Sequence, residues 1–181
     1  VFHVDLYLIY TKLEDKKNAK KTLEKLHSHL DEKVSQVVSV ANAFVKYSYY
    51  QEALQCYVLI ENSEKAQNRN YNIQKAQIYH YLEEDELMVE EYLSHLKKKP
   101  GKKNTIVNYL QRYLDNSGME NENNYTYVKN GLLKYSQNEK DDYLFSELLI
   151  WLFMQHQEFN LAFIQSKALD KRLNEDGERF K

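Results

Sequence analysis

One register runs through the chain and limits what it can fold into. Ala19, Ala53, Met88, Val128 and Ala162 succeed one another at spacings of 34, 35, 40 and 34 residues. The clearest copy is FVKYSYYQEALQCYVLI (44–60) with the residues before it. Val37, Val40, Ala41 and Phe44 stand at i, i+3, i+4 and i+7, one face of a helix, and Ala53, Tyr57 and Ile60 form a second stripe. A short polar turn around Tyr47–Ser48 joins them, so the repeating unit is two helices and a tight corner.

The other copies are found by shifting this one. Going back 34 residues puts Tyr10 at the place of Phe44 and Ala19 at that of Ala53, with Leu23 and Leu26 continuing the stripe. Going forward gives Ala76 and Tyr79, then Met88 and Tyr92, with Pro100 as a stop. A fourth copy carries Ile106, Leu110 and Tyr113, then Val128, Leu132 and Tyr135, and holds an insertion over 115–124. The fifth has Leu149, Ile150 and Phe153, then Phe159, Ala162 and Leu169. A lone helical hairpin leaves an apolar stripe bare, whereas stacked hairpins cover one another's, and small residues let them approach. The expectation is an all-α superhelix, a solenoid of about five helical hairpins. Its units run over 1–33, 34–67, 68–102, 103–140 and 141–175, with no domain boundary inside. Composition agrees, because 4 glycines and 1 proline in 181 residues are too few for the turns of a β-fold. Val1 stands where a start methionine would be and the chain closes on NEDGERFK, so we read it as part of a longer protein.

Charge and chemistry exclude more than they suggest. A net charge of -2 gives no global field for nucleic acid or an anionic membrane. The longest apolar run, LLIWLFM (148–154), falls short of the ~20 residues that span a bilayer. Cys56 has no histidine in its helical pair and Lys46 lies on the other helix, so it reads as a packed thiol rather than a nucleophile. The histidines, including His27 and His29, lack metal-ligand spacing, and EEDE (83–86) reads as the acidic start of a helix. Gly101, Gly118, Gly131 and Gly177 are isolated, which rules out a phosphate-cradling loop, and no nucleophile elbow is present. No catalytic, metal-binding or cofactor-binding residues are expected. HLKKKPGKKN (95–104) reads as a solvated turn, and the sequon at Asn124 as coincidence. Repeat-core positions account for Tyr10, Tyr57, Tyr79 and Tyr92 but not for Tyr47, Tyr49, Tyr81, Tyr125 and Tyr127.

The order small residue, aromatic, corner aromatic, alanine, aromatic resembles the tetratricopeptide repeats. Ala41, Phe44, Tyr50, Ala53 and Tyr57 carry it most fully, with partial matches at Ala76, Tyr79, Tyr92 and Pro100. Met88 and Val128 depart from the family's alanine, and its first-helix glycine is missing throughout. The resemblance implies a concave groove lined by the first helices, which would hold a peptide or a partner helix. Transferred residue by residue, the groove positions are Val4, Leu8, Lys12, Val38, Asn42, Lys46, Ile73, Gln77 and His80, with Glu147, Trp151 and Met154 in the last unit. Only Asn42 fits a clamp for a peptide's terminal carboxylate, so an amphipathic helix or an apolar segment is the better ligand. The function this implies is a non-enzymatic interaction scaffold for a protein or peptide. The rivals are a regulatory repeat module controlling an effector domain elsewhere and, behind it, an RNA-binding helical repeat.

Overall fold

The computed structural model describes residues 2–61, 69–115, 122–138 and 143–179. Among them are ten α-helices and no strand. They are α1 (Phe2–Lys12), α2 (Lys16–Glu32), α3 (Val37–Lys46), α4 (Tyr50–Glu61), α5 (Asn72–Tyr81), α6 (Asp85–Lys98), α7 (Lys103–Asp115), α8 (Glu122–Asn138), α9 (Leu144–Gln155) and α10 (Phe159–Arg179). Single 3₁₀ turns at Val34–Gln36 and Pro100–Lys102 lead into α3 and α7. In chain order the helices make five pairs, as the register predicts. The chain divides into two compact units, Val1–Glu84 and Asp85–Lys181. The stretch 68–102, expected as one repeat, is shared between them, α5 falling in the first and α6 in the second. Most of the insertion expected at 115–124 lies outside the described residues.

The corners explain the register. A corner of three residues follows each of α1, α3, α5 and α9, and its middle residue is left-handed: Glu14 (φ 57°), Ser48 (φ 63°), Glu83 (φ 59°) and Gln157 (φ 58°). In each, the next residue's N–H reaches back five residues to an aromatic carbonyl. Asp15 bonds Tyr10 at 2.9 Å, Tyr49 bonds Phe44 at 3.0 Å, Glu84 bonds Tyr79 at 2.9 Å and Glu158 bonds Phe153 at 2.8 Å. These bonds satisfy carbonyls that a helix end leaves open. At the first corner Asp15 also caps α2, its Oδ1 accepting from the Asn18 N–H at 3.0 Å. With the corner fixed, the small or apolar residue nine places after the aromatic always turns inward: Ala19, Ala53, Met88 and Ala162 are all buried.

Glycine is the residue best suited to a left-handed corner, yet none of the four positions has it. A non-glycine there costs about 1–2 kcal/mol in backbone strain, partly offset by glycine's greater entropy loss on folding. Glu83→Gly, at an exposed position, is therefore expected to stabilise the protein by roughly 0.5–1 kcal/mol. Urea unfolding checks this, and an unchanged or lower midpoint contradicts it.

In the first unit α1 packs on α2 and α3 on α4, while α4 also meets α2 and α5. Its core runs continuously from Val4 and Tyr7 through Leu26, Leu30 and Phe44 to Ile60 and Ile78. Tyr7 meets Phe44 edge-on with centroids 5.7 Å apart, and Tyr49 in the same manner at 6.0 Å. Because α4 is covered on several sides, Cys56 joins Ala53, Tyr57 and Ile60 as fully buried. The sequence pattern puts it one place off the stripe. In the second unit α8 lies against both α6 and α9, and α9 against α10. Leu93, Ile106, Leu110, Val128, Leu132, Phe145 and Leu152 are sealed there. Phe159, expected in the fifth stripe, is instead exposed, at the first position of α10.

Candidate functional site

The residues expected to line a groove separate into three groups. Val4 and Leu8 belong to the core and face no ligand. The inward stripe of α1 is Val4, Tyr7 and Leu8 with half-buried Thr11, one residue further round than the stripe Val37, Val40, Ala41 and Phe44 on α3. One residue is about 100° of helix rotation, enough to turn groove positions inward. In the first unit Lys12, Asn42, Lys46, Gln77 and His80 are exposed and Val38 and Ile73 half-buried. Asn42 and Lys46 lie one turn apart on α3, as Ile73 and Gln77 do on α5. In the second unit Trp151 is half-buried and Met154 exposed on α9, while Glu147 is held by Lys103 at 2.6 Å.

A concave feature lies beside the expected positions rather than on them. Between α1 and α2 the first unit has an open pocket of about 550 Å³, lined by Tyr7, Thr11, Glu14, Lys16, Ala19, Lys20 and Leu23. Its volume falls in the range of ligand sites. The floor is apolar, made of the Tyr7 ring, Ala19 and Leu23. Two hydroxyls in it are already engaged: Tyr7 donates to Glu52 Oε1 at 2.6 Å, and Thr11 donates to the Tyr7 carbonyl at 2.9 Å. Burial, reinforced by Glu52, pushes the Tyr7 phenol up to about 12, so it stays a neutral donor. The charged lining is Lys16, Lys20 and Glu14, all exposed. Two lysines against one glutamate leave the charged part of the lining net positive. Sequence reasoning misses it, although KKNAKK (16–21) is a visible lysine cluster of the kind considered at 95–104.

The remaining candidates resolve into packing. Burial pushes the Cys56 thiol up to about 12, with Glu52 adding to it, which leaves no thiolate at neutral pH. Three of the five unassigned tyrosines join neighbouring hairpins: Tyr49 meets Tyr7, Tyr81 stacks on Tyr50 at 4.9 Å, and Tyr125 packs on His156 at 4.2 Å and bonds Glu158. Tyr47 lies exposed beneath the Lys46 ammonium at 5.4 Å. Asn124 is buried and its Nδ2 donates to the Tyr113 carbonyl at 3.1 Å, so its amide is not presented for glycosylation. Asp85 and Glu86 stand in the first turn of α6, as the EEDE run predicts. His95 is buried, and burial and then Lys99, Lys102 and Lys98 lower its pKa. Among the described residues no group of three or more His, Cys, Asp or Glu could hold a metal ion, and no helix is long and apolar enough to cross a membrane. Comparison with protein-family models, curated proteins and solved structures finds no match.

Proposed function

We propose that this chain is a tetratricopeptide-like interaction scaffold that binds an amphipathic segment of another protein and performs no chemistry on it. The observation that carries the reading is the pocket between α1 and α2, with its apolar floor and the Lys16 and Lys20 ammonium groups at its edge. Neither lysine has a carboxylate partner among the described residues. An anchoring side chain with an acidic end would sit on Tyr7 and Leu23. Lys46 and Asn42 on α3 would supply secondary polar contacts for the segment beyond it. Helical hairpins that repeat a register and carry their variation on exposed helix faces suit recognition of this kind.

The test uses a panel of amphipathic peptides with acidic residues at helical spacing. Wild-type protein is expected to bind a subset, and Lys16→Glu/Lys20→Glu to weaken those peptides at least about tenfold, equivalent to about 1.4 kcal/mol. Both lysines are exposed, so circular dichroism should show the same helicity in the variant. Asn42→Ala/Lys46→Ala should weaken binding less. A panel that binds wild type and the double-glutamate variant equally would remove the pocket from the proposal. Of the basic turn on which the RNA-binding alternative draws, Lys103 is tied to Glu147.

A further inference from the structure

We propose a second binding surface, at the corner between α6 and α7, that holds a short stretch of single-stranded nucleic acid. It lies in the second unit and is independent of the pocket, whose lining belongs to the first. Charge is spread very unevenly along this chain. Lys97, Lys98, Lys99, Lys102, Lys103 and Arg112 fall between Leu96 and Leu114, a stretch without one Asp or Glu. In the chain as a whole, acids outnumber these bases 27 to 25. Lys97 and Lys98 close α6, where the helix dipole favours cations. Lys102 has no such reason, because it leads into the positive end of α7, whose first turn holds no acid. Lys103 is held by Glu147. Lys99 and Lys102 are exposed and make no ion pair among the described residues. The local surplus has the sign that attracts phosphate groups.

Planar side chains stand beside these cations. Thr105, Asn108, Tyr109 and Arg112 sit at i, i+3, i+4 and i+7, one face of α7, while Ile106, Leu110 and Tyr113 turn to the core. Asn108 and Arg112 are exposed, and Thr105 and Tyr109 are half-buried. The Tyr109 ring stacks on Tyr92 of α6 with centroids 5.3 Å apart, and the Arg112 guanidinium lies over the Tyr109 ring, 5.9 Å from its centroid. Because Tyr92 is buried, the stack is anchored in the core and reaches the surface at Tyr109 and Arg112. From Lys103 to Tyr109 the helix rises about 9 Å, so one strand can lay phosphates at the turn and a base on the planar groups. Binding of single strands combines cations that follow the backbone with rings or guanidinium planes on which bases stack. A duplex keeps its bases stacked on one another and leaves Tyr109 and Arg112 unused. An acidic peptide would engage the lysines alone. The charges and the planar groups together select an unpaired strand.

Fluorescence anisotropy on the 181-residue chain, with a labelled mixed-sequence RNA strand of about 12 nucleotides as probe, tests this. Binding should weaken with salt, the logarithm of the affinity falling by about 2 per decade if about three phosphates are met. Lys99→Glu/Lys102→Glu, at exposed positions, should weaken binding at least about tenfold and flatten the salt dependence. Tyr109→Leu keeps an apolar side chain against Tyr92 and should weaken binding roughly fivefold or more, the worth of one stacked base, without changing the salt dependence. Arg112→Gln, at an exposed position, replaces it as the test of stacking if circular dichroism shows that Tyr109→Leu has lost helicity. Poly-glutamate and a blunt duplex of the same sequence should bind more weakly and respond to neither of these two changes. No anisotropy change at low salt overturns the proposal, as does binding that survives Lys99→Glu/Lys102→Glu. Equal binding of strand, duplex and poly-glutamate, with the stacking variants silent, also overturns it, by showing a surface that takes any polyanion.

Discussion

Phe44→Ala should lower the unfolding free energy by about 3–5 kcal/mol, the usual cost of removing a fully buried phenylalanine. Three roles meet in this residue. Its ring is sealed, with none of its surface exposed, and Tyr7 packs against it edge-on. Its carbonyl receives the Tyr49 N–H that closes the corner between α3 and α4. Tyr49 in turn packs on Tyr7, so the ring supports a contact from α1 to the corner beyond α3. Alanine keeps the backbone bond but leaves a cavity among these aromatics, and Tyr7 loses the partner that orients it toward Glu52. Tyr47→Ala, three residues on and exposed, removes as large a ring from the surface and should cost about 0.5 kcal/mol or less. Urea unfolding followed by circular dichroism separates the two variants. Equal losses would show that the corner, rather than the buried ring, carries the stability.

Phe44 also shows what the sequence could reveal. The register was legible because it consists of large aromatic and small residues whose burial does not depend on fine geometry. Phe44, Ala53 and Ala162 must be inside for the pairs to close, and they are. The corner geometry was less visible, since Glu14, Ser48, Glu83 and Gln157 adopt a conformation that glycine would have announced. Helix rotation was least legible of all. On α1, FHVDLYLIY is apolar on several sides, so periodicity alone cannot tell a stripe beginning at His3 from one beginning at Val4. That ambiguity of one residue places Val4 and Leu8 in a groove when they are core. It also hides the pocket, because its apolar floor of Tyr7, Ala19 and Leu23 belongs to two helices and acquires meaning only when they cross.

Raising the pH should unfold the protein cooperatively once it passes the ordinary range of tyrosine ionisation. Burial pushes the phenols of Tyr7, Tyr57 and Tyr92 up to about 12. It moves Tyr113 and Tyr135 upward too, with Asp85 adding to the first and Glu90 to the second. Cys56 is likewise raised to about 12. In the unfolded chain a thiol ionises near about 8.5 and a phenol near about 10. Between those values and about 12 the folded protein keeps protons that the unfolded chain releases, so stability falls as pH rises. Each such group contributes a slope of at most about 1.4 kcal/mol per pH unit, and several act together. Tyrosinate absorbance should therefore end in a steep phase that coincides with loss of helical circular dichroism. Tyr57→Phe removes one of the ionising groups and should move the steep phase to higher pH. A single phase centred near about pH 10 with helicity intact would mean that these rings meet water more freely than their packing against Phe44, Tyr71 and Phe145 allows.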